Sequence, residues 1–241
     1  MLLIYNEATL MYNPSFLENK IKESRWWDRA SHTIDNHHSN NSGIMLTHHL
    51  CAVYDNVVEI FNKPAVGFYG DMFALIPQLL LNKDEVKEEL ILVALLHDIG
   101  KPLEDKGLII PHPLTGKPAH KRHGLVGLMA AMEIIGNELA LMPDKRNRIY
   151  RTVELHDISY GLFREYVATG ISPVNEKWNY INNKVHTLTG AGLLYLLFFK
   201  LADIHGHAEI NDVIWFYKSV KAQYFDLLQL QLPIPEEHDI R

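Results

Sequence analysis

The sequence predicts an all-α fold, and three observations carry that reading. Apolar residues recur at three- and four-residue spacing in one segment after another. No stretch alternates apolar and polar residues with the period of a half-buried strand, and no internal repeat of useful length occurs. Between the periodic segments lie polar or proline-rich runs that punctuate rather than continue them.

The elements follow in order. After a short apolar start, Pro14 to Ala30 is expected to be helical, with Phe16, Leu17, Ile21, Trp26 and Trp27 as its apolar set and a capping box from Ser15 and Glu18. Residues 31–43 read as a polar, solvated loop, with His32, His37 and His38 in reach of a site only if the loop folds inward. A helix opens at Gly43 with Leu46, His49, Leu50, Val53, Val57 and Ile60 on one face. His49 is therefore expected inside, with His48 rotated about 100° toward the edge. Residues 63–71, with Pro64, Gly67 and Gly70, read as a connector, followed by a helix with Phe73, Ile76 and Leu80 that starts or kinks at Pro77.

Asp84 is expected to cap the helix that delivers the central stretch, Ile91-Leu92-Val93-Ala94-Leu95-Leu96-His97-Asp98-Ile99-Gly100-Lys101-Pro102. Its apolar residues want burial and carry His97 and Asp98 inside with them. Gly100 suits a left-handed position that closes the helix, and Pro102 cannot continue it. From Pro102 to Ala119 the chain is expected to be irregular. His120-Lys121-Arg122-His123-Gly124 then opens a helix to Leu141. Pro143-Asp144 starts the next, with Ile149, Val153, His156 and Tyr160 inward. Gly161 to Asn183 reads as loop plus a short helix, and Thr189 to Gln229 as helical and strongly apolar, with Asp203 inside it.

Composition narrows the class of protein. At 241 residues, 47% hydrophobic and 22% charged, the chain has an ordinary globular composition and is long enough to bury a sizeable core. The net charge of −6 leaves no basic face, so no extended nucleic-acid surface is expected. The single cysteine, Cys51, excludes an internal disulfide framework and a cysteine-based zinc site. The longest apolar run, Ala191 to Phe199, is too short to span a bilayer, and the N-terminal residues lack a secretory leader pattern. A soluble, cytoplasmic protein with no membrane partner is the expectation. Sequence offers nothing on oligomeric state.

The 14 histidines stand out. His49, His97 with Asp98, His123, His156 and Asp203 bring metal-capable side chains from five elements to inward faces or helix ends. A buried imidazole beside a buried carboxylate is costly unless paired, and a divalent cation pairs both. The order His … His-Asp … Asp supplies three or four ligands to one ion. His123 and His156 complete a second, with Asp98 bridging.

On these residues the chain resembles the HD-domain superfamily of metal-dependent phosphohydrolases. The resemblance rests on His49 with Val53, on Leu95 to Lys101, on His123-Gly124, on His156, and on Lys200-Leu201-Ala202-Asp203. It is closest in pattern to the HD domains of tRNA nucleotidyltransferases and their free-standing relatives. No glycine-tyrosine-proline signature follows the His-Asp pair, which argues against a cyclic-di-GMP phosphodiesterase. The resemblance implies an HD helical bundle over residues 43–221, with extensions at 1–42 and 222–241. It also implies one or two divalent ions, with Mn, Mg, Fe, Co, Ni and Zn not distinguished, and hydrolysis of a small phosphomonoester or phosphodiester substrate, expected to be a nucleotide. In that reading Asp98 and Lys101 are catalytic, and Lys101 and Arg122 bind the substrate phosphate. Lys101 reads equally as a helix-terminal lysine answering the macrodipole. Asp157 beside His156 is a further ligand or orienting group. An HD-fold di-iron oxygenase and a non-catalytic regulatory HD domain are the alternatives.

Overall fold

The computed structural model describes residues 14–35, 44–102, 109–111, 118–136, 142–185, 191–204, 210–225 and 230–240. The described residues are mostly helical, as the periodicity predicts. Its elements are α1 (Pro14–Lys22), α2 (Arg25–Ser31), α3 (Leu46–Asn62), α4 (Gly67–Gln78), α5 (Lys83–Leu96), β1 (Ile109–Pro111), β2 (Pro118–His120), α6 (His123–Ile135), α7 (Pro143–Leu155), α8 (Ile158–Thr169), α9 (Asn175–Val185), α10 (Ala191–Asp203), α11 (Asn211–Val220) and α12 (Glu237–Ile240). A single π turn, Lys221–Phe225, follows α11.

Two helices form the centre. Every residue of α5 from Glu89 to Leu96 is buried, and so is every residue of α10 from Ala191 to Ala202. A helix apolar on all sides must be covered on all sides. α3 and α7 supply that cover, each packing against both α5 and α10. Leu17, Ile21 and Trp26 near the start and Leu230, Leu232 and Ile240 near the end belong to the same hydrophobic core as the central helices.

Several local expectations are corrected by the structure. The segment from Pro14 to Ala30 is two helices, because Ser24 interrupts it: its side chain accepts from Trp27 N and caps α2. Helix α4 begins at Gly67, inside the expected connector, and Pro77 stands in its last turn, where little of the hydrogen-bond ladder remains to break. Leu80 is not on the inner face. It is 84% exposed at φ 57 in the turn that leaves α4. Asn82, not Asp84, caps α5, accepting from Asp84 N and Glu85 N. The stretch before His120 contains a small antiparallel ladder, Ile109–Pro111 with Pro118–His120. Helix α6 ends at Ile135, where Gly136 takes φ 55. Tyr160 lies beyond the end of α7, in α8, and the segment expected to be loop plus short helix is the two helices α8 and α9. His37, His38 and residues 137–141 and 205–209 lie outside the described residues.

Candidate metal centre

Each imidazole is aimed by the helix that carries it. His97, His123 and His156 stand at a helix end or start, and their Nδ1 atoms lie 2.9, 2.9 and 2.8 Å from the carbonyls of Ala94, His120 and Val153, three residues upstream. A carbonyl only accepts, so each Nδ1 carries the proton and, in the neutral ring, each Nε2 presents a lone pair. Those Nε2 atoms face inward. His123 Nε2 and His156 Nε2 are 3.1 Å apart, and Asp98 Oδ1 lies 3.3 and 3.4 Å from them. On the other side of the same carboxylate, Asp98 Oδ2 is 3.3 Å from His97 Nε2 and 3.5 Å from His49 Nε2. Asp203 Oδ1 completes that side, 3.5 Å from His97 Nε2 and 3.6 Å from His49 Nε2.

The helices meet this closely because the chain has no side chains where they touch. A Cβ on Gly100 would lie 2.5 Å from the backbone nitrogen of Gly127, and one on Gly124 would lie 2.5 Å from the carbonyl oxygen of Glu154. Gly100 thus serves close approach and not a left-handed cap: among the described glycines only Gly67, Gly136 and Gly170 have positive φ. Asn56 ties α3 to the end of α10 by donating to Ala202 O at 2.8 Å, which holds His49 and Asp203 on facing elements. Phe199 lines the floor, its ring 5.0 Å from that of His97 and 6.0 Å from that of His156.

These six side chains fit metal ions on their geometry. Ligand atoms bonded to one ion at about 2.0–2.2 Å stand roughly 2.8–3.6 Å apart at octahedral or tetrahedral angles, and the separations above fall in that range. They form two groups, His49, His97 and Asp203, and Asp98, His123 and His156, with Asp98 facing both. Buried Asp98 Oδ1 has no hydrogen-bond donor among the described residues, and it converges with two imidazole lone pairs. A cation set between these three acceptors would satisfy all of them at once. No ion is part of the structure.

The electrostatics agree with the geometry. Burial pushes the Asp98 carboxyl up, but the Lys101 ammonium and the surrounding imidazoles hold it well below the usual carboxylate range. Asp203 is held low in the same way, by His97, His49 and Lys200 against its burial. Burial lowers His97 and His123; at His49 and His156 it also acts downward, but the combined attraction of the surrounding carboxylates, Asp98 foremost, exceeds it and raises both. Burial lowers the Lys101 ammonium, but Asp98 and Asp35 more than offset it, and it stays charged.

The remaining sequence-nominated residues divide. Lys101 is in the site: its Nζ contacts Asp98 Oδ2 and its side chain is 11% exposed, unlike a solvated helix-end lysine. Arg122 is exposed, at φ 65 just ahead of α6, and is not drawn in with the six. Asp157 stands between α7 and α8. His48 is exposed, and His49 is half-buried with its Nε2 in the cluster. Alanine at His49 is accordingly expected to remove one metal equivalent and the activity that depends on it, whereas alanine at His48 leaves both within about twofold. Parallel metal analysis and turnover of the two variants checks this, and equal losses would contradict it.

One residue in the site was not nominated by sequence. Asp35 comes from the loop read as solvated, is 2% exposed, and lies beside His49 and Lys101. A lone aspartate among Asn, Ser and His residues carries no periodic signal, so only the fold reveals it. Comparison with protein-family models, with curated proteins and with solved structures gives no match. No described helix is long and apolar enough to cross a membrane.

Proposed function

We propose that this protein is an HD-type metal-dependent phosphohydrolase acting on a small phosphomonoester or phosphodiester, with a nucleotide as the preferred substrate class. One observation carries the reading: the two oxygens of Asp98 are divided between two imidazole-rich groups, Oδ1 toward His123 and His156 and Oδ2 toward His49 and His97. That is the donor arrangement of a carboxylate-bridged pair of ions, a known device for in-line displacement at phosphorus. Bound there, such ions supply Lewis acidity toward phosphoryl oxygens and a water of lowered pKa.

The chain's own residues do the rest. The backbone carbonyls of Ala94, His120 and Val153 keep three imidazoles in the ligating tautomer, so little reorganisation accompanies loading. Lys101 holds a permanent positive charge at the edge of Asp98, where it offsets charge building on a phosphoryl group. Phe199 keeps the floor apolar, which strengthens each of these interactions. Of the divalent ions considered, magnesium fits four imidazoles and two carboxylates least well, because it favours oxygen ligands and retained water.

Protein purified without added metal, analysed for bound metal and assayed against phosphomonoesters, phosphodiesters and nucleotides, tests the proposal. Metal-dependent phosphate release supports it. Two irons with no phosphate release would replace it by the HD-fold di-iron oxygenase reading.

Metal binding should also depend on pH. Because His49 and His156 are raised above the ordinary imidazole range, protons compete for their Nε2 atoms further toward neutrality than usual. Manganese affinity is therefore expected to fall as pH drops from about 8 to 6, with protons released on binding. Calorimetry in buffers of different ionisation enthalpy measures both quantities. An affinity that is flat over this range would contradict the assignment of those imidazoles as ligands.

A further inference from the structure

We propose that Asp35 is a positioning residue for this centre, orienting His49 through Nδ1 and holding Lys101 beside Asp98. The inference rests on the two-metal reading and extends it to a residue outside the six ligands. Three of the four imidazoles have Nδ1 set by a backbone carbonyl three residues upstream, as a helix end permits. His49 differs, because it lies in the first turn of a helix that continues to Asn62. On the side of its Nδ1 stands the Asp35 carboxylate, Oδ2 at 4.0 Å. That distance exceeds a direct hydrogen bond. With a cation on the Nε2 side offsetting Asp98 and Asp203, a buried carboxylate there favours the proton on Nδ1, because its charge acts over this range in a low-dielectric interior. The lone pair is then left on Nε2, the atom that faces His97, Asp98 and Asp203.

The other oxygen of the same carboxylate serves the cation. Asp35 Oδ1 lies 3.8 Å from Lys101 Nζ, which also contacts Asp98. Lys101 is thereby held between two carboxylates, one inside the ligand set and one outside it. A lysine paired with Asp98 alone would bind most tightly where a metal ion must bind. Asp35 offers it a second partner and keeps its charge at the rim.

The backbone places Asp35 for this task. Ile34 forms a bridge with Met45, Asp35 N donates to Ile44 O at 2.8 Å, and Leu46 N donates to Thr33 O at 2.8 Å. The residue is thus fastened directly to the entry of α3, and His49 follows one turn later. Its near-complete burial is unusual for a loop aspartate and means that the carboxylate is committed to the groups beside it.

The test is manganese titration by calorimetry on the full chain, comparing the parent with Asp35→Asn and with Asp35→Glu. Each substitution is also placed in a His123→Ala background, where only the His49 side remains. Groups that orient metal ligands typically contribute about 10–100-fold in affinity. Asp35→Asn is expected to weaken the His49 side by that factor in both backgrounds and to leave the His123 side unchanged. Asp35→Glu, which keeps the charge, is expected to restore part of the loss. A loss of structure would instead weaken both sides together and would not be rescued by glutamate, which overturns the positioning role. Unchanged affinity in Asp35→Asn, with two ions bound by the parent, overturns this inference and leaves the two-metal reading intact. A parent that binds no manganese overturns both.

Discussion

Replacing Asp98 by asparagine is expected to remove both metal equivalents at once and to reduce turnover by more than about 10³-fold, since losing a single fixed charge-stabilising group already costs about 10²–10³. The reason is geometric. Among the described residues, Asp98 is the one side chain that faces both groups, with Oδ1 against His123 and His156 and Oδ2 against His49 and His97. Asparagine keeps the size but turns one of those oxygens into a donor, which points hydrogens at lone pairs or forces the amide to rotate. Alanine at His123 or at His156 touches one side only, so each is expected to lose one equivalent and keep the other. Metal analysis and calorimetry on the three variants decide the matter. If Asp98→Asn still binds one ion tightly, the carboxylate does not bridge.

The second large effect is on stability, and it lies beneath the centre. Glu89 on α5 and Arg148 on α7 form a bidentate pair at 2.8 and 2.6 Å, and Arg148 Nε also donates to Tyr195 Oη on α10 at 3.1 Å. All three residues are buried, so this network joins three of the helices that carry ligands. Arg148→Ala would leave the Glu89 carboxylate buried without its cation. Breaking such a pair costs about 3–5 kcal/mol, which for a chain of this size is a fall in Tm of roughly 6–20 °C. Replacing both members by apolar residues of similar volume, Glu89→Leu with Arg148→Met, removes the stranded charge and should recover most of that loss. Differential scanning calorimetry on the single and double variants checks the claim. A double variant as unstable as Arg148→Ala would mean that the network matters for packing shape and not for charge.

How much of this could be read from residues alone follows from the range of the interactions involved. The helices are local objects. Their 3.6-residue period, the uninterrupted apolar run of α5 and the inward face of α3 are visible because burial acts on neighbours along the chain. For the same reason His97-Asp98 at the end of a buried helix, and His49 in preference to His48, could be nominated before any fold was known. Boundaries fared worse. Asn82 in place of Asp84, Ser24 splitting the first helix, and α4 starting at Gly67 all turn on single side-chain caps and turns whose cost is about 1 kcal/mol, which tertiary packing readily overrides.

By itself the sequence determined that the chain is helical, that its centre is apolar enough to carry polar side chains inside, and which six residues are of the right type to hold metal. It did so because residue type and helical period need no partner from elsewhere in the chain. Only the tertiary structure decided that His49, His97 and Asp203 share one side of Asp98 and His123 and His156 the other. It decided that Gly100 and Gly124 serve close approach of backbones. It alone brought Asp35, from a polar loop, against His49 and Lys101. These are contacts between residues tens to more than a hundred positions apart, and they depend on how buried helices pack, which no local pattern encodes.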